Sequence, residues 1–489
     1  MAAPLRPTFR VPQMAGAPGP IALPPLPVNP LSLAPESDVL TRVAGFFCCI
    51  YLFLTYSRAM EFLPIPLILL AVGGFTGLAI ALSGGLLASM RTRSGVLLTV
   101  LTLCIVAAIP FSEWPRLSLD IFNKSWLRSV AVFFFIAGAI TGLQSFRRLL
   151  LFLALAVPAT LLEVQIYGAP DDTGRLGLEG TTIGNPNDLA THLLMGLPFL
   201  IYAVRSYGLF SVWGLLCGAS IPILVADVFR TGSRAGLISL TGFVLYVFIR
   251  GSGLIRVSMI AMVIAALLLV PVLLPDTVTQ RFSSMFGEKP ANTREMAIAE
   301  GSAEARLEIL IASVKAALTH PLLGVGPGGF QAYHARVQGQ ANKSAYWNDT
   351  HNTFTQMASE VGIPAGLIYT VLLIGTVRRG AQAMKLGRRL NNPQLTAIGD
   401  AIIMAVLCFA LAAFFGNYAY MFYMPLLVAL TEVLRRITER EIQANPTAAI
   451  PPSSAAVPGI APPPQSMAAA LRERRKSSFP PIPSPIRRA

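Results

Sequence analysis

The sequence predicts an all-α integral membrane protein of about twelve transmembrane helices, with a long, partly helical loop between the ninth and the tenth. Three observations support this class. Hydrophobic residues make up 54% of the 489 residues, charged residues only 13%, and the mean hydropathy is +0.61. Soluble domains carry roughly 25% charged residues. Apolar runs of spanning length recur along the chain, and Lys and Arg gather in alternate loops between them.

The ends of the chain differ in composition from its apolar centre. Residues 1–37 are rich in proline and show no cleavable signal peptide, which indicates a disordered cytoplasmic tail. Residues 435–489 are basic and rich in proline, and predict a second disordered cytoplasmic tail. Residues 38–434 form the polytopic membrane domain. Its apolar runs lie at about 39–56, 62–83, 95–112, 126–143, 149–168, 189–204, 208–226, 235–250, 255–274, 354–376, 396–415 and 419–434.

The loops test this count independently of hydropathy. If the N-terminus lies inside, every even-numbered loop is basic, and these loops contain Arg91, Arg93, Arg147, Arg148, Arg205, Arg250, Arg256 and the series from Arg378 to Arg389. An even number of spans with basic inner loops predicts that both termini are cytoplasmic. The net charge of +14 is then explained by the basic cytoplasmic loops and tails that set the membrane topology. We therefore expect membrane lipids, and no nucleic acid, as partners of the basic segments.

The loop at residues 275–353 is the predicted active region. It is polar, it contains three of the four histidines, and loops of this length are uncommon unless they are functional. Within it, residues 303–318 place five apolar side chains at helical spacing before His320 and Pro321. This pattern predicts an amphipathic helix that lies on the bilayer surface or on the helical bundle. The stripe consists of Leu307, Leu310, Ile311, Val314 and Leu318.

Arg175, Arg230, Arg234 and Arg306 lie in odd-numbered loops, where the charge rule disfavours them. Ionisable residues in such positions are functional candidates. Arg230 and Arg234 flank a small-residue turn before a predicted helix, and the planar guanidinium matches phosphate oxygens. Two alternatives to ligand binding stay open. In the first, Arg230 and Arg234 extend to the lipid headgroups of the outer leaflet. In the second, Arg306 pairs with Glu304 or Glu308 instead of a ligand.

Amides and a histidine complete the candidate site. Asn185 and Asn187 precede the sixth span, where they would cap the helix or orient sugar hydroxyls and phosphate oxygens. His351 lies at the water boundary of the tenth span, where its near-neutral pKa suits proton transfer. Asn352 and Glu360 follow it. Asp171 and Asp172 are the nearest candidates for metal ligands, but the outer loops lack an Asp-x-Asp pattern, so we expect no metal and no cofactor.

Four motifs in this order carry a resemblance to a known family. They are Asn185-Pro186-Asn187 with Ala190, Thr231-Gly232-Ser233-Arg234, Arg306 with the segment from Pro321 to Gly326, and His351-Asn352 with Glu360 and Gly362. Together they resemble the O-antigen ligase and O-antigen polymerase superfamily over residues 170–375.

The resemblance implies a metal-independent glycosyltransferase of the bacterial inner membrane with a periplasmic active site. The enzyme would move a glycan from undecaprenyl diphosphate to an acceptor hydroxyl, such as one of the lipid A core or another glycan. By the family's pattern, Arg234 and Arg306 bind the diphosphate, with Arg230 and Arg175 as further candidates, and His351 activates the acceptor. The remaining positions, Asn185, Asn187, Asn352 and Glu360, are expected to position the substrates.

Two other readings share the family's donor: a polymerase of O-antigen or exopolysaccharide, and a protein O-oligosaccharyltransferase. A polysaccharide or lipid transporter is the alternative from a different class. A transporter predicts ionisable residues near the middle of its spans and repeats with interrupted helices. The charges of this chain gather instead at the loops.

Overall fold

The computed structural model describes residues 39–62, 66–253, 256–257, 259–261, 263–264, 279, 293–338 and 349–444, without the side chains of residues 66 and 293–304. The predicted N-terminal tail, most of the C-terminal tail and most of the ninth predicted span therefore lie outside the described residues. One compact unit extends to Glu441. Of a second unit, residues 442–489, only 442–444 are described, as the end of a helix.

Most of the described residues are helical. The helices are α1 Val39–Ser57, α2 Ala59–Phe62, α3 Pro66–Leu82, α4 Gly85–Met90, α5 Arg93–Ala108, α6 Pro115–Ile121, α7 Leu127–Ala139, α8 Leu143–Tyr167, α9 Pro186–Tyr207, α10 Val212–Arg230, α11 Arg234–Arg250, α12 Thr293–Thr319, α13 Phe330–Val337, α14 Thr353–Val361, α15 Ile363–Arg389, α16 Pro393–Ala413 and α17 Tyr423–Ala444. Short turns of other helix types, Ile109–Phe111 and Phe122–Trp126, flank α6. The two-residue strands Ala169–Pro170 and Leu176–Gly177 pair antiparallel between α8 and α9.

Within the described residues, six helices are long and apolar enough to cross a membrane: Val39–Ser57, Arg93–Phe111, Leu143–Tyr167, Pro186–Tyr207, Val212–Arg230 and Pro393–Ala413. A shorter apolar helix covers Leu67–Leu82. The prediction of an all-α, multi-pass membrane protein is confirmed in this coarser form. The count of about twelve spans stays a prediction.

The central helix of the bundle is α9. In its most apolar window 78% of the residues are buried, against 33% for the neighbouring α10. Exposed apolar side chains on the peripheral helices, such as Leu70 on α3 and Leu215 on α10, would be costly in water and are stable against lipid tails. The core thus lies around α9, α16 and the start of α17, and the periphery is suited to a bilayer.

The predicted tenth span, residues 354–376, is divided into α14 and α15. Gly362 lies between them with a φ of 104°, and a Cβ there would approach the carbonyl oxygen of Leu322 to 2.3 Å. The amide of Ile363 donates to the carbonyl of Pro321 over 2.8 Å. The apolar run continues through this break, so hydropathy alone predicts one helix where the backbone turns to meet the loop.

The amphipathic helix of the long loop is α12, and it ends at Thr319, next to the predicted stop at His320. Its buried side chains include Ile309, Ser313 and Ala316. Of the predicted apolar stripe, Leu307, Ile311, Val314 and Leu318 are exposed. The stripe therefore faces away from the bundle, which favours the first predicted alternative, contact with the bilayer surface.

Candidate functional site

Arg234 is the first residue of α11 and follows a tightly bonded turn. Ser233 caps the helix by accepting from the amide of Gly236 at 3.1 Å, and its hydroxyl donates to Oδ1 of Asn187 at 2.8 Å. The same oxygen accepts from Nη2 of Arg175 at 2.9 Å, while Nε of Arg175 donates to the carbonyl of Thr231 at 2.8 Å. Arg175 and Asn187 thus hold the turn that presents Arg234.

Asn185 and Arg230 also have contacts within the protein. Asn185 caps α9, and its Oδ1 accepts from the amide of Asn187 at 2.8 Å. This is ordinary N-cap chemistry. Arg230 donates to Asp227 at 2.9 Å, and the Asp227 side chain is only 2% exposed. Removing Arg230 would therefore leave a buried carboxylate without its cation.

The glycine-rich turn after α12 packs on the end of α14. The amides of Val325 and Gly326 donate to the carbonyls of Ser359 and Glu360, each at 2.9 Å. Gly324 has a φ of 64°, and a Cβ there would lie 2.3 Å from the backbone of Glu360, so only glycine fits. These bonds fasten the long loop to the bundle.

Glu360 is buried at the centre of this junction. Its Oε2 accepts from the amide of Gly328 at 2.8 Å and from the hydroxyl of Tyr420 at 2.7 Å. The first bond goes to the long loop and the second to the segment before α17. Glu360 therefore joins three parts of the chain. Its carboxylate is directed at these partners and has no described hydrogen bond with His351.

Asn352 is the N-cap of α14. Its Oδ1 accepts from the amides of Phe354 and Thr355, both at 3.0 Å, and its Nδ2 donates to the carbonyl of Phe414 at 3.3 Å. The cap sets the start of the helix directly after His351. His351 itself has a φ of 49°, an uncommon conformation for a non-glycine residue and one worth attention at a functional site.

Arg306 lies within electrostatic range of both Arg234 and His351. Helix α12, which carries Arg306, packs against α14, which begins two residues after His351. Burial, and next the positive charge of Arg234, lower the pKa of the Arg306 guanidinium. Arg306 forms no ion pair with Glu308 among the described side chains, which do not include Glu304. The predicted role of these two arginines, binding of an anion of more than one charge, stays a proposal.

The electrostatics of His351 favour its neutral form. Burial lowers the pKa of the imidazole, the positive charge of Arg306 lowers it further, and the negative charge of Asp349 opposes both. The reference pKa of histidine is about 6.5. A lowered pKa leaves the ring unprotonated at neutral pH, which is the state that accepts a proton from a hydroxyl group.

Asp349 is a candidate that the sequence reasoning missed. Its Oδ1 accepts a hydrogen bond from the amide side chain of Gln331, and its charge acts on both His351 and Glu360. The signal was present, because Asp349 lies two residues before His351. An acid that close to a candidate base is expected to influence its protonation.

The described chain is therefore a multi-pass helical membrane protein, and its candidate site combines arginines with a histidine. Residues 219–370 match the family model described as O-antigen ligase, which confirms the resemblance predicted from the sequence motifs. The matched segment includes Arg234, Arg306 and His351, whereas Arg175, Asn185 and Asn187 precede it. No curated protein matches the chain.

Proposed function

We propose that this chain is a glycosyltransferase of the O-antigen ligase type, which transfers a glycan from undecaprenyl diphosphate to an acceptor hydroxyl of the lipid A core. The observation that carries the proposal is the position of Arg306, whose charge acts on His351 and which is itself affected by the charge of Arg234, within the segment that matches the O-antigen ligase family. The site would face the periplasm of a bacterial inner membrane, since the arginines lie in loops opposite the basic ones.

The two arginines would bind the diphosphate of the donor. A diphosphate leaves readily once its negative charge is neutralised, and guanidinium groups present paired donors to phosphate oxygens. Because fixed cations already supply this neutralisation, the proposed reaction needs no metal ion. Arg175 and Asn187 would act at one remove, by holding the turn that presents Arg234.

His351 would act as the general base. Its neutral imidazole takes the proton of the acceptor hydroxyl while that oxygen forms a bond to the anomeric carbon. The bond from this carbon to the diphosphate oxygen breaks, and undecaprenyl diphosphate leaves with the electron pair. Asn352 would fix the start of α14 and so the position of the ring.

Polymerase and protein O-oligosaccharyltransferase activities use the same donor chemistry, and they differ from the ligase only in the acceptor. The site residues named above act on the donor and on the proton of any hydroxyl. The acceptor can be identified by supplying the purified protein with lipid-linked glycan and one acceptor at a time. The acceptors are lipid A core, a second lipid-linked glycan and a Ser-containing peptide, and the product that forms shows which one the protein uses.

The test of the mechanism is His351→Ala, with His320→Ala as the matched control. His320 is a histidine of the same loop whose Nδ1 lies 3.0 Å from the hydroxyl of Thr319, and whose ring packs against Tyr333. Loss of a general base costs roughly 10²–10⁴-fold in rate. We expect His351→Ala to lose transfer by this factor and to retain donor binding, while His320→Ala transfers at the wild-type rate.

Transfer by His351→Ala at the wild-type rate would refute the role of the base. Binding of the lipid-linked donor to the same preparation shows that the variant is folded, so a loss of transfer with intact binding is the informative result. If His320→Ala also lost both glycan transfer and donor binding, the losses would indicate a structural effect of changes in the loop.

A further inference from the structure

A cavity of about 630 Å³ lies between α1, α3, α7 and the segment Tyr420–Phe422. Arg234, Arg306 and His351 do not line it. Among its lining residues, Tyr420 contacts the candidate site, because its hydroxyl donates to Glu360. The proposed glycosyl transfer does not use this cavity, so its chemistry needs a separate account.

One side of the cavity is cationic. Arg58, Lys124 and Arg128 line it together with a single carboxylate, that of Glu61. Glu61 is already engaged, because it accepts from Arg58 at 3.1 Å and from the amide and hydroxyl of Thr182 at 2.9 and 2.8 Å. Lys124 has an exposed partner, Asp120, at 3.2 Å. The lining therefore has an excess of positive charge.

Arg58 is held in an unusual way. It follows α1 with a φ of 63°, its side chain is only 14% exposed, and its guanidinium lies 5.2 Å from the ring centroid of Phe422. The Nε atom is buried and has no hydrogen-bond partner among the described residues. A non-glycine residue in this conformation is strained, and a buried donor without a partner is unfavourable. An anion bound in the cavity would be attracted by the positive charge of this guanidinium.

The other side of the cavity is apolar and continues toward the periphery of the bundle. Leu69, Leu70, Gly73 and Gly74 of α3 line it, and Leu70 is 72% exposed. A Cβ added to Gly74 would meet no atom within 4 Å. The cavity is thus open along α3, on a surface whose exposed leucines are suited to lipid tails.

We propose that this cavity binds an anionic membrane lipid. The phosphate would lie against Arg58, Lys124 and Arg128, and one hydrocarbon chain would lie along Leu69 to Gly74. Charge complementarity and the change from cationic to apolar lining favour this occupant over a water-soluble anion or a neutral lipid. The phosphate has two possible sources, a glycerophospholipid headgroup and a polyprenyl phosphate. The proposal is independent of the transfer reaction, since it concerns residues outside the candidate site.

The experiment measures lipid retention by the full chain. Protein is reconstituted in phosphatidylcholine nanodiscs that contain phosphatidylglycerol or, in a second arm, undecaprenyl phosphate, and the lipids that remain bound are quantified by native mass spectrometry. Arg58→Gln and Arg128→Gln each remove one cation, which is worth about 1 kcal/mol or roughly fivefold in affinity. Arg116→Gln is the matched control, because Arg116 is exposed and does not line the cavity.

A steric variant separates binding from folding. Gly74→Leu adds a side chain to the open space and replaces glycine in a helix by a better helix former, so we expect it to fold and to exclude the hydrocarbon chain. Retention of an anionic lipid of either kind that falls in Arg58→Gln, Arg128→Gln and Gly74→Leu but not in Arg116→Gln supports the proposal, and the arm with the stronger retention names the source. Equal retention of phosphatidylcholine, or equal retention by all four variants, overturns it.

Discussion

Two clusters of arginines in this molecule differ in what surrounds them. Around Glu432, the carboxylate accepts from Arg435 at 2.6 Å, from Arg379 at 3.3 Å and from the hydroxyl of Ser94 at 2.9 Å. The Glu432 side chain is fully buried. Around His351, in contrast, the charge that most affects Arg306 is that of another arginine, and it lowers the pKa of the guanidinium.

The difference bears on the expected roles of these arginines. An ion-paired arginine has its charge matched inside the protein, so its contribution is to packing and stability. The charge of Arg234 acts on Arg306 with the same sign, and an anionic ligand bound near both would oppose that repulsion. The Glu432 cluster thus stabilises the bundle, whereas the Arg234 and Arg306 pair is suited to the diphosphate of the proposed donor.

The largest expected difference between the two clusters is the side of the membrane on which each one lies. The proposed topology puts His351 outside and the basic loops inside. In a variant without the native cysteines, Asn123→Cys should react with a membrane-impermeant thiol reagent in intact spheroplasts, because it belongs to the outer loops. Arg389→Cys should react only after the membrane is permeabilised. Both positions are exposed, so equal labelling in intact spheroplasts would contradict this topology.

Glu432→Gln should destabilise the protein more than any single change at the His351 cluster. Breaking a buried ion pair costs roughly 3–5 kcal/mol, because the remaining charges are left uncompensated. Here Arg379 and Arg435 would face each other. We expect a lower thermal unfolding midpoint in detergent with unchanged donor affinity per folded molecule. Glu439→Gln is the control, since Glu439 is an exposed partner of Arg435. A Glu432→Gln protein as stable as Glu439→Gln would remove the distinction between the clusters.

Arg234→Lys and Arg306→Lys should act on affinity and not on stability. Lysine keeps the charge but loses the paired donor geometry. Hydrogen bonds to charged groups contribute about 1.5–3 kcal/mol, so donor binding should weaken by about 10–100-fold. The matched control is Arg336→Lys, in the same long loop as Arg306, because Arg336 pairs with Glu113 and its side chain is 59% exposed. Wild-type donor affinity and turnover in both site variants would show that these arginines do not bind the diphosphate.

The sequence predicted local features well and long-range ones poorly. Spacing along the chain predicted the end of α12 and its apolar stripe, since both follow from helical periodicity. It left open which side of α12 faces the bundle, because that depends on contacts with α14. The break at Gly362 was missed, since the apolar run continues through it. The contact of Glu61 with Thr182 joins positions far apart in the chain, and no local pattern indicates it.

The candidate site shows the same limit. The sequence singled out Arg234, Arg306 and His351 by charge and position, and in the structure the charge of Arg234 acts on Arg306 and that of Arg306 acts on His351. Their roles stay predictions. The expected substrate contacts of Asn187 and Asn352 remain predictions. Within the protein, Asn352 caps α14, whereas Asn187 accepts from Ser233, far along the chain, in the turn before α11. Periodicity cannot separate an amide that caps a helix from one that binds a sugar, because both occupy the same turn.

The smallest expected effect concerns Asp349 and is a shift in pH dependence. The negative charge of Asp349 raises the pKa of His351, against burial and the charge of Arg306, which lower it. Removing that charge in Asp349→Asn should therefore lower the pKa of the imidazole further. The transfer rate falls on the acid side as His351 is protonated, so this fall should occur at lower pH in the variant. The rate at neutral pH should decrease only slightly, because a weaker base is a somewhat poorer proton acceptor.

Asp120→Asn serves as the control, since Asp120 pairs with Lys124 outside the site. The measurement is the rate of glycan transfer at saturating donor across the acid range for wild type and both variants. A profile of Asp349→Asn that coincides with wild type, or that moves to higher pH, would mean that the titrating group is not His351 beside Asp349, and the assignment of the base would fall with it.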